Sequence, residues 1–365
     1  GDSIISASFQ EFYLKNNLKY AKSDDFKKIV SSKTTKDISW FFEDYLKTTK
    51  KIDYTIKKAI IKDDSVYVTI KNKRNMTAPV ALYGLKNKQV KFKKWLTNID
   101  STKTIAIPKN GFNRVSLNFE NSYPEFNSMD NWKKVGKNIL NKPIQFKLYK
   151  DINDPYYHQI YLQPNIKYNF YDGALLGLRI HNRPLLSRNF QFSITPQYGT
   201  KSNALNGTFN TRYTQYFENS TINRIYYSLS GSNLHYAEDL SYNTFNQNIT
   251  IQFRRKNLRD VGGSYLSARL LNINRELAPN DSQTDSDKYR VFKLKYYNNK
   301  PDIIKGIKYS FGTEIANNFS KVSGEIRYRK LTAKNTQLDF RFYAGSFIKN
   351  NTNTIIVKRS EEHTS

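Results

Sequence analysis

The chain has 365 residues, enough for two or three units rather than one. It has no cysteine, which excludes a disulfide framework and any cysteine metal site, while its 27 Tyr and 23 Phe make it unusually aromatic. A net charge of +28 invites a nucleic-acid reading. The lysines of the first 150 residues are scattered, however, without the arginine and aromatic platforms that single-strand binders use, so a solvated basic surface is expected and nucleic acid is not a partner.

Apolar stretches such as Ala174-Leu175-Leu176 are far shorter than the roughly 20 residues of a membrane-crossing helix. Any membrane span must therefore be a strand. The chain begins at Gly1 with no initiator Met, charged n-region or apolar h-region, and is read as a fragment.

Residues 1–50 read as three short helices. Phe9, Phe12, Tyr13, Leu18 and Tyr20 have helix-compatible spacing. Ser23 or Asp24 can cap a second helix bearing Phe26, Ile29 and Val30, and Thr35 or Asp37 a third with Trp40, Phe41, Tyr45 and Leu46 on one face. Three such helices cannot enclose a core, so they are expected to end a larger helical domain.

Residues 51–122 read as a small β-sandwich. Ile52 to Ala59, Ser65 to Lys71, Pro79 to Leu85, Lys88 to Leu96, Lys103 to Ile107 and Arg114 to Phe119 are rich in β-branched and aromatic residues. Asp63-Asp64, Asn72 to Asn75, Asn87 and Lys109-Asn110-Gly111 supply the turns between them. Residues 123–157 are a connector holding a helix and one strand.

From 158 to 348 one pattern repeats: segments in which every second residue is apolar, separated by Asn, Gly, Ser and Asp clusters. Phe190, Phe192, Ile194, Pro196 and Tyr198 fall on one side of such a segment, Gln191, Ser193, Thr195 and Gln197 on the other. Asp172-Gly173 closes a hairpin between Ile166, Tyr168, Phe170 and Leu176, Leu178, Ile180.

Further strands run over Phe190–Gly199, Leu205–Phe217, Asn223–Gly231, Phe245–Arg254, Ser264–Ile273, Tyr289–Tyr297, Gly306–Ile315, Val322–Arg329 and Gln337–Phe347. About eleven strands near membrane-crossing length are the mark of an antiparallel transmembrane β-barrel, here truncated and so of odd count. Arg212, Arg254, Arg269, Arg327 and Arg341 would then face a wet lumen.

A soluble sandwich or propeller could alternate as well, and the mean hydropathy of −0.71 is low. The long strands and continuous polar face favour the barrel. The expected location is accordingly the bacterial outer membrane, with outer-membrane lipid and the barrel assembly machinery as partners and the basic charge facing anionic headgroups. No terminal aromatic of the kind that machinery reads ends the chain. Residues 349–358 read as a loop. Residues 359–365 read RSEEHTS, which resembles the translation of a sequencing adapter and is set outside the protein-coding part.

No catalytic, cofactor-binding or metal site is expected. His158, His181, His235 and His363 include no pair four residues apart, so H-E-x-x-H is absent, and there is no G-x-S-x-G or P-loop. His158 and His181 fall at strand ends. Asp281, Asp285 and Asp287 bunch without the Gly turn and closing Glu of an EF-hand, which makes them a solvated loop. Asp24-Asp25 and Glu43-Asp44 read as caps and exposed faces.

Two segments nevertheless resemble a known family. Ser23-Asp24-Asp25-Phe26 and the run Asp37-Ile38-Ser39-Trp40-Phe41-Phe42-Glu43-Asp44-Tyr45-Leu46 are similar to the last helices of the catalytic domain in gluzincin, aminopeptidase N-like, zinc peptidases; Tyr45 stands where the family has Trp. That family carries a small β-sandwich directly afterwards, and Tyr123-Pro124-Glu125-Phe126 through Asp130-Asn131-Trp132 resembles its exit. The resemblance implies the C-terminal part of a zinc metallopeptidase with peptide substrates, fused to an outer-membrane barrel. Zinc and its H-E-x-x-H would belong to a missing upstream domain, leaving this part inactive alone. The alternatives are a non-enzymatic outer-membrane barrel protein with a binding or assembly module, and a basic nucleic-acid-binding β protein.

Overall fold

The computed structural model describes residues 2–136, 140–257, 259–277, 288–302, 304–333 and 336–351. Asp281, Asp285, Asp287, His363, most of the expected 349–358 loop and the 359–365 tail lie outside the described residues. The chain is mostly β, with sheets of three, four and twelve strands. It divides into two compact units, residues 1–145 with 154–158 and residues 146–153 with 159–365.

The first unit opens on α1 (Asp2–Asn16) and α2 (Ser23–Lys33). The cap of α2 falls on Lys22 rather than Ser23 or Asp24, because the Asp25 carboxylate reaches back to accept the Lys22 backbone N–H at 3.0 Å. The third helix is a single wide turn, Trp40–Tyr45, closed by a Leu46 N–H to Phe41 carbonyl bond of 3.0 Å. Asp37 prepares it by accepting the Ser39 N–H at 2.8 Å. Phe26 joins the helices, with ring centroids 4.7 Å from Phe9, 5.4 Å from Phe12 and 6.3 Å from Phe42. Phe9, Tyr13 and Leu14 remain exposed.

Seven strands follow: β1 (Tyr54–Lys62), β2 (Ser65–Asn72), β3 (Val80–Lys86), β4 (Gln89–Leu96), β5 (Thr102–Pro108), β6 (Arg114–Leu117) and β7 (Trp132–Lys134). They form the sheets β1-β2-β5 and β4-β3-β6-β7. In β2 the alternation resolves as read: Val66, Val68 and Ile70 are buried while Tyr67 and Lys71 are exposed. Those three join Ile56 and Ile107 of their own sheet and Val80, Leu82, Val115 and Leu117 of the other in one core cluster.

Strand β3 is buried on both sides, since Ala81, Tyr83 and Leu85 pack with Trp132 in a second cluster. Trp132 arrives through β7, which pairs with β6, so the expected connector contributes a strand to this unit. Strand β4 starts at Gln89, one residue later than expected, because Asn87 and Lys88 both take positive φ (51° and 65°) in the tight turn from β3.

The twelve-stranded sheet comprises β8 (Ile144–Leu148), β9 (His158–Asn169), β10 (Gly173–His181), β11 (Phe190–Gly199), β12 (Leu205–Tyr216), β13 (Ile222–Ala237), β14 (Leu240–Phe253), β15 (Gly263–Arg275), β16 (Lys288–Lys300), β17 (Lys305–Ala316), β18 (Phe319–Leu331) and β19 (Gln337–Asn350). Each strand pairs with its sequence neighbour, and β8 and β19 are the two edges. The sheet is therefore open among the described residues. The twelfth strand is β8, which falls within the segment expected to be a connector; the helix expected in that segment is limited, among the described residues, to the single 3-10 turn Ser128–Asp130.

Strands β13 and β14 run 16 and 14 residues, longer than read. Ser230-Gly231-Ser232-Asn233 carries turn chemistry but lies within β13, where Gly231 leaves room for the Phe209 ring of the neighbouring strand to lie across the backbone. The real turn is Glu238-Asp239, with Asp239 at φ 56°.

Candidate functional site on the polar face of the large sheet

The register sorts the side chains of β9 to β19 onto two faces. The pairs Ile180↔Ile194, Ile194↔Phe209, Gly231↔Phe245, Leu270↔Phe292 and Phe292↔Ile315 trace one face across nearly the whole sheet. It is apolar, and it is exposed. Strand β11 shows the sense clearly: Phe190 and Ile194 are 51% and 49% exposed, whereas Ser193 and Gln197 on the opposite side are 6% and 1%. This is the reverse of a water-soluble sheet, in which apolar side chains go inward and polar ones outward.

The polar face holds the lysine and arginine side chains of β9 to β15. Lys167, Arg179, Arg212, Arg224, Arg269 and Arg275 all stand on it, and strands β9 to β15 contain no Asp or Glu. Several of these cations are held by neutral groups. Arg179 Nε donates to Ser193 Oγ (2.9 Å), Arg224 Nε to Gln252 Oε1 (2.5 Å) and Arg269 Nε to Asn246 Oδ1 (2.8 Å), while the Arg212 guanidinium lies 5.6 Å from the Tyr226 ring centre. Arg183, in the loop after β10, folds back to donate Nη2 to Asn210 Oδ1 at 2.5 Å.

The far half of the sheet differs. Glu314 pairs with Lys293 (3.3 Å) and Lys321 (3.5 Å), and Glu325 with Arg341 (2.9 Å) and Arg327. Of the five arginines read from sequence as lumen-facing, Arg212 and Arg269 therefore belong to the carboxylate-free half and Arg327 and Arg341 to the compensated half. Arg254 lies just beyond β14 and donates to the carbonyls of Ser220 and Phe217. Sequence reasoning missed Arg179 and Arg183. Arg179 was legible from its parity beside Ile180, but Arg183 was not, because its contact with Asn210 crosses 27 positions.

A concavity of about 660 Å³ opens on this half, lined by Arg179, Arg183, Arg212 and Arg269 among serines, threonines and asparagines. At the β9–β10 turn a second polar cluster forms around Asp172. Its carboxylate accepts from Asn169 Nδ2 (3.0 Å), Ser202 Oγ (2.8 Å), Asn206 Nδ2 (2.8 Å) and His235 Nδ1 (2.5 Å). Burial pushes the Asp172 pKa up, but the bonds from Ser202, Asn206 and His235 outweigh it and leave the carboxyl below its usual range. An Asp–His pair invites a hydrolytic reading. Ser202, however, donates to Asp172 rather than facing His235, so the nucleophile–base–acid order is lacking and the cluster ties the turn to β12 and β13.

The remaining histidines take structural positions. His181, at the end of β10, is fully buried, stacked on Tyr161 with centroids 5.5 Å apart and accepting the Arg183 N–H at Nδ1 (3.1 Å). His158 opens β9 and is exposed. Among the described residues no three His, Asp or Glu side chains form a group that could hold a metal.

The first unit carries its own buried charges. Asp53 lies 3.0 Å from Arg74 Nε and 3.7 Å from Lys73 Nζ, and Lys73 also reaches Asp130 at 3.0 Å. Glu125 accepts from Asn131 Nδ2 through one oxygen while the other is buried without a partner. Burial, reinforced by the negative charge of Asp53 and Asp130, raises Glu125 to about 7.

No family model, curated protein or solved structure matches this chain.

Proposed function

We propose that the large sheet is part of the wall of a bacterial outer-membrane β-barrel, with its apolar face against lipid and its polar face toward water. The inverted burial of β11, apolar residues outward and Ser193, Thr195 and Gln197 inward, carries this reading. Strands of 9 to 16 residues in β9 to β19 are long enough to cross when tilted. No helix among the described residues is long and apolar enough to cross a membrane, which leaves the strands as the candidate spans.

In this reading the first unit, with its two sheets sharing one core as a β-sandwich, is a module that the barrel tethers to the envelope. The resemblance of the Trp40–Leu46 segment and of Tyr123 to Trp132 makes that module the closing part of an aminopeptidase N-like zinc metallopeptidase. The exposed Phe9, Tyr13 and Leu14 suit helices that pack against more of such a domain. Peptide hydrolysis would then depend on an H-E-x-x-H outside these 365 residues. A longer coding sequence lacking that motif would leave a non-enzymatic envelope protein.

The absence of native cysteine makes the topology test clean. After reconstitution into liposomes, Ile194→Cys should react with a lipid-soluble maleimide and resist a membrane-impermeant one, and Ser228→Cys on the polar face should show the opposite preference. A chain that is monodisperse and fully folded in buffer without detergent would refute the membrane assignment.

A further inference from the structure

The basic half of the polar face is organised around one row of side chains. Ser193, Asn210, Ser230 and Asn246 pair successively across β11, β12, β13 and β14. Three guanidinium groups converge on that row, Arg179 at Ser193, Arg183 at Asn210 and Arg269 at Asn246, each through a single N–H. Arg212 stands two residues from Asn210 on the same side of β12. All four border the same concavity, and no carboxylate lines it.

Cations that only stabilise a sheet are normally matched by carboxylates, as Glu314 matches Lys293 and Lys321 and Glu325 matches Arg327 and Arg341. Here Arg179, Arg183 and Arg269 are held in position by neutral acceptors that fix their direction without cancelling their charge, and Arg212 lies over the Tyr226 ring. A guanidinium has five N–H donors in a planar fork. Arg179 and Arg269 use Nε on the wall, which leaves their terminal nitrogens for a ligand, and the Nε of Arg183 is buried without a partner.

We infer that this row is a binding site for a phosphate-class oxyanion. Its tetrahedral, multiply charged oxygens can take forks from several arginines at once, whereas a carboxylate brings a single charge and only two oxygens. The site needs only that the polar face meet water, so it does not depend on the membrane assignment.

The test is calorimetric titration of the full chain in neutral detergent with inorganic phosphate, pyrophosphate and acetate at fixed ionic strength. Saturable binding is expected, pyrophosphate tightest and acetate weakest. Arg179→Gln and Arg269→Gln should each weaken pyrophosphate binding at least tenfold with unchanged circular dichroism. Arg290→Gln, whose guanidinium is held by Asn272 away from the row, should leave it intact and serves as the charge control. A short-chain phosphatidic acid that displaces phosphate would identify a lipid headgroup as the source of the anion, and failure to displace it would identify a free phosphate compound. Phosphate binding no stronger than acetate, or equal loss in Arg290→Gln, would overturn the assignment.

Discussion

Glu125→Gln should stabilise the first unit at pH 8 and leave it unchanged near pH 4.5. The Glu125 carboxyl is desolvated, shares its surroundings with Asp53 and Asp130, and has one buried oxygen without a donor. Its ordinary pKa of 4.5 rises to about 7 in the fold. The folded chain thus holds a proton that the unfolded chain releases, and the associated stability is fully present below pH 4.5. It declines by about 1.4 kcal/mol per pH unit as pH approaches 7 and is lost above, a total of about 3 kcal/mol. Glutamine keeps an oxygen for Asn131 and cannot ionise, so the variant should be up to about 3 kcal/mol more stable at pH 8. Asp53, whose pKa is also raised by burial, leaves a smaller slope of the same sign.

Urea unfolding followed by tryptophan fluorescence measures this directly. The three tryptophans, Trp40, Trp95 and Trp132, all belong to the first unit. A wild-type profile flat between pH 5 and 8, or a variant less stable than wild type at pH 8, would refute the electrostatic reasoning.

Leu82→Ala, at a fully buried position in the core shared by the two small sheets, should cost about 2–5 kcal/mol and lower the urea midpoint of the same fluorescence signal. Gly173→Ala places a side chain at φ 69° with its Cβ 2.8 Å from Thr200 Oγ1, so it should destabilise by about 1 kcal/mol or more and speed hydrogen exchange in the β9–β10 hairpin. On the membrane reading, Ile194→Arg should cost about 2–4 kcal/mol in reversible folding into lipid, while Gln191→Arg on the polar face of the same strand should stay within about 0.5 kcal/mol.

The large sheet was legible because its alternation is regular: Phe190 to Tyr198 fixes which side chains share a face, and the register between strands follows from it. Legibility failed where tertiary contact overrides local chemistry. Ser230-Gly231-Ser232 reads as a turn until the Phe209 ring across the strand explains the glycine. Strand β8 is only five residues long and follows Pro143, too little periodicity to stand out from a connector. The Asp172 cluster was visible only as the turn signal Asp172-Gly173, since its donors come from positions 169, 202, 206 and 235. The arginine row was hidden for the same reason: parity places Arg179, Arg212 and Arg269 on one face, but nothing local shows that neutral side chains hold them. Glu125 stood in a recognised segment, yet its burial depends on packing that no spacing reports.

The neighbour-to-neighbour order of the large sheet has a kinetic consequence. Every pairing from β9 to β19 is a hairpin contact, so each added strand requires closure of only a short loop, whose entropic cost is small. Such a sheet can assemble like a zipper, and a lesion in one strand should halt growth there while the hairpins already formed persist. Truncated chains should accordingly accumulate as a ladder of intermediates spaced by whole hairpins.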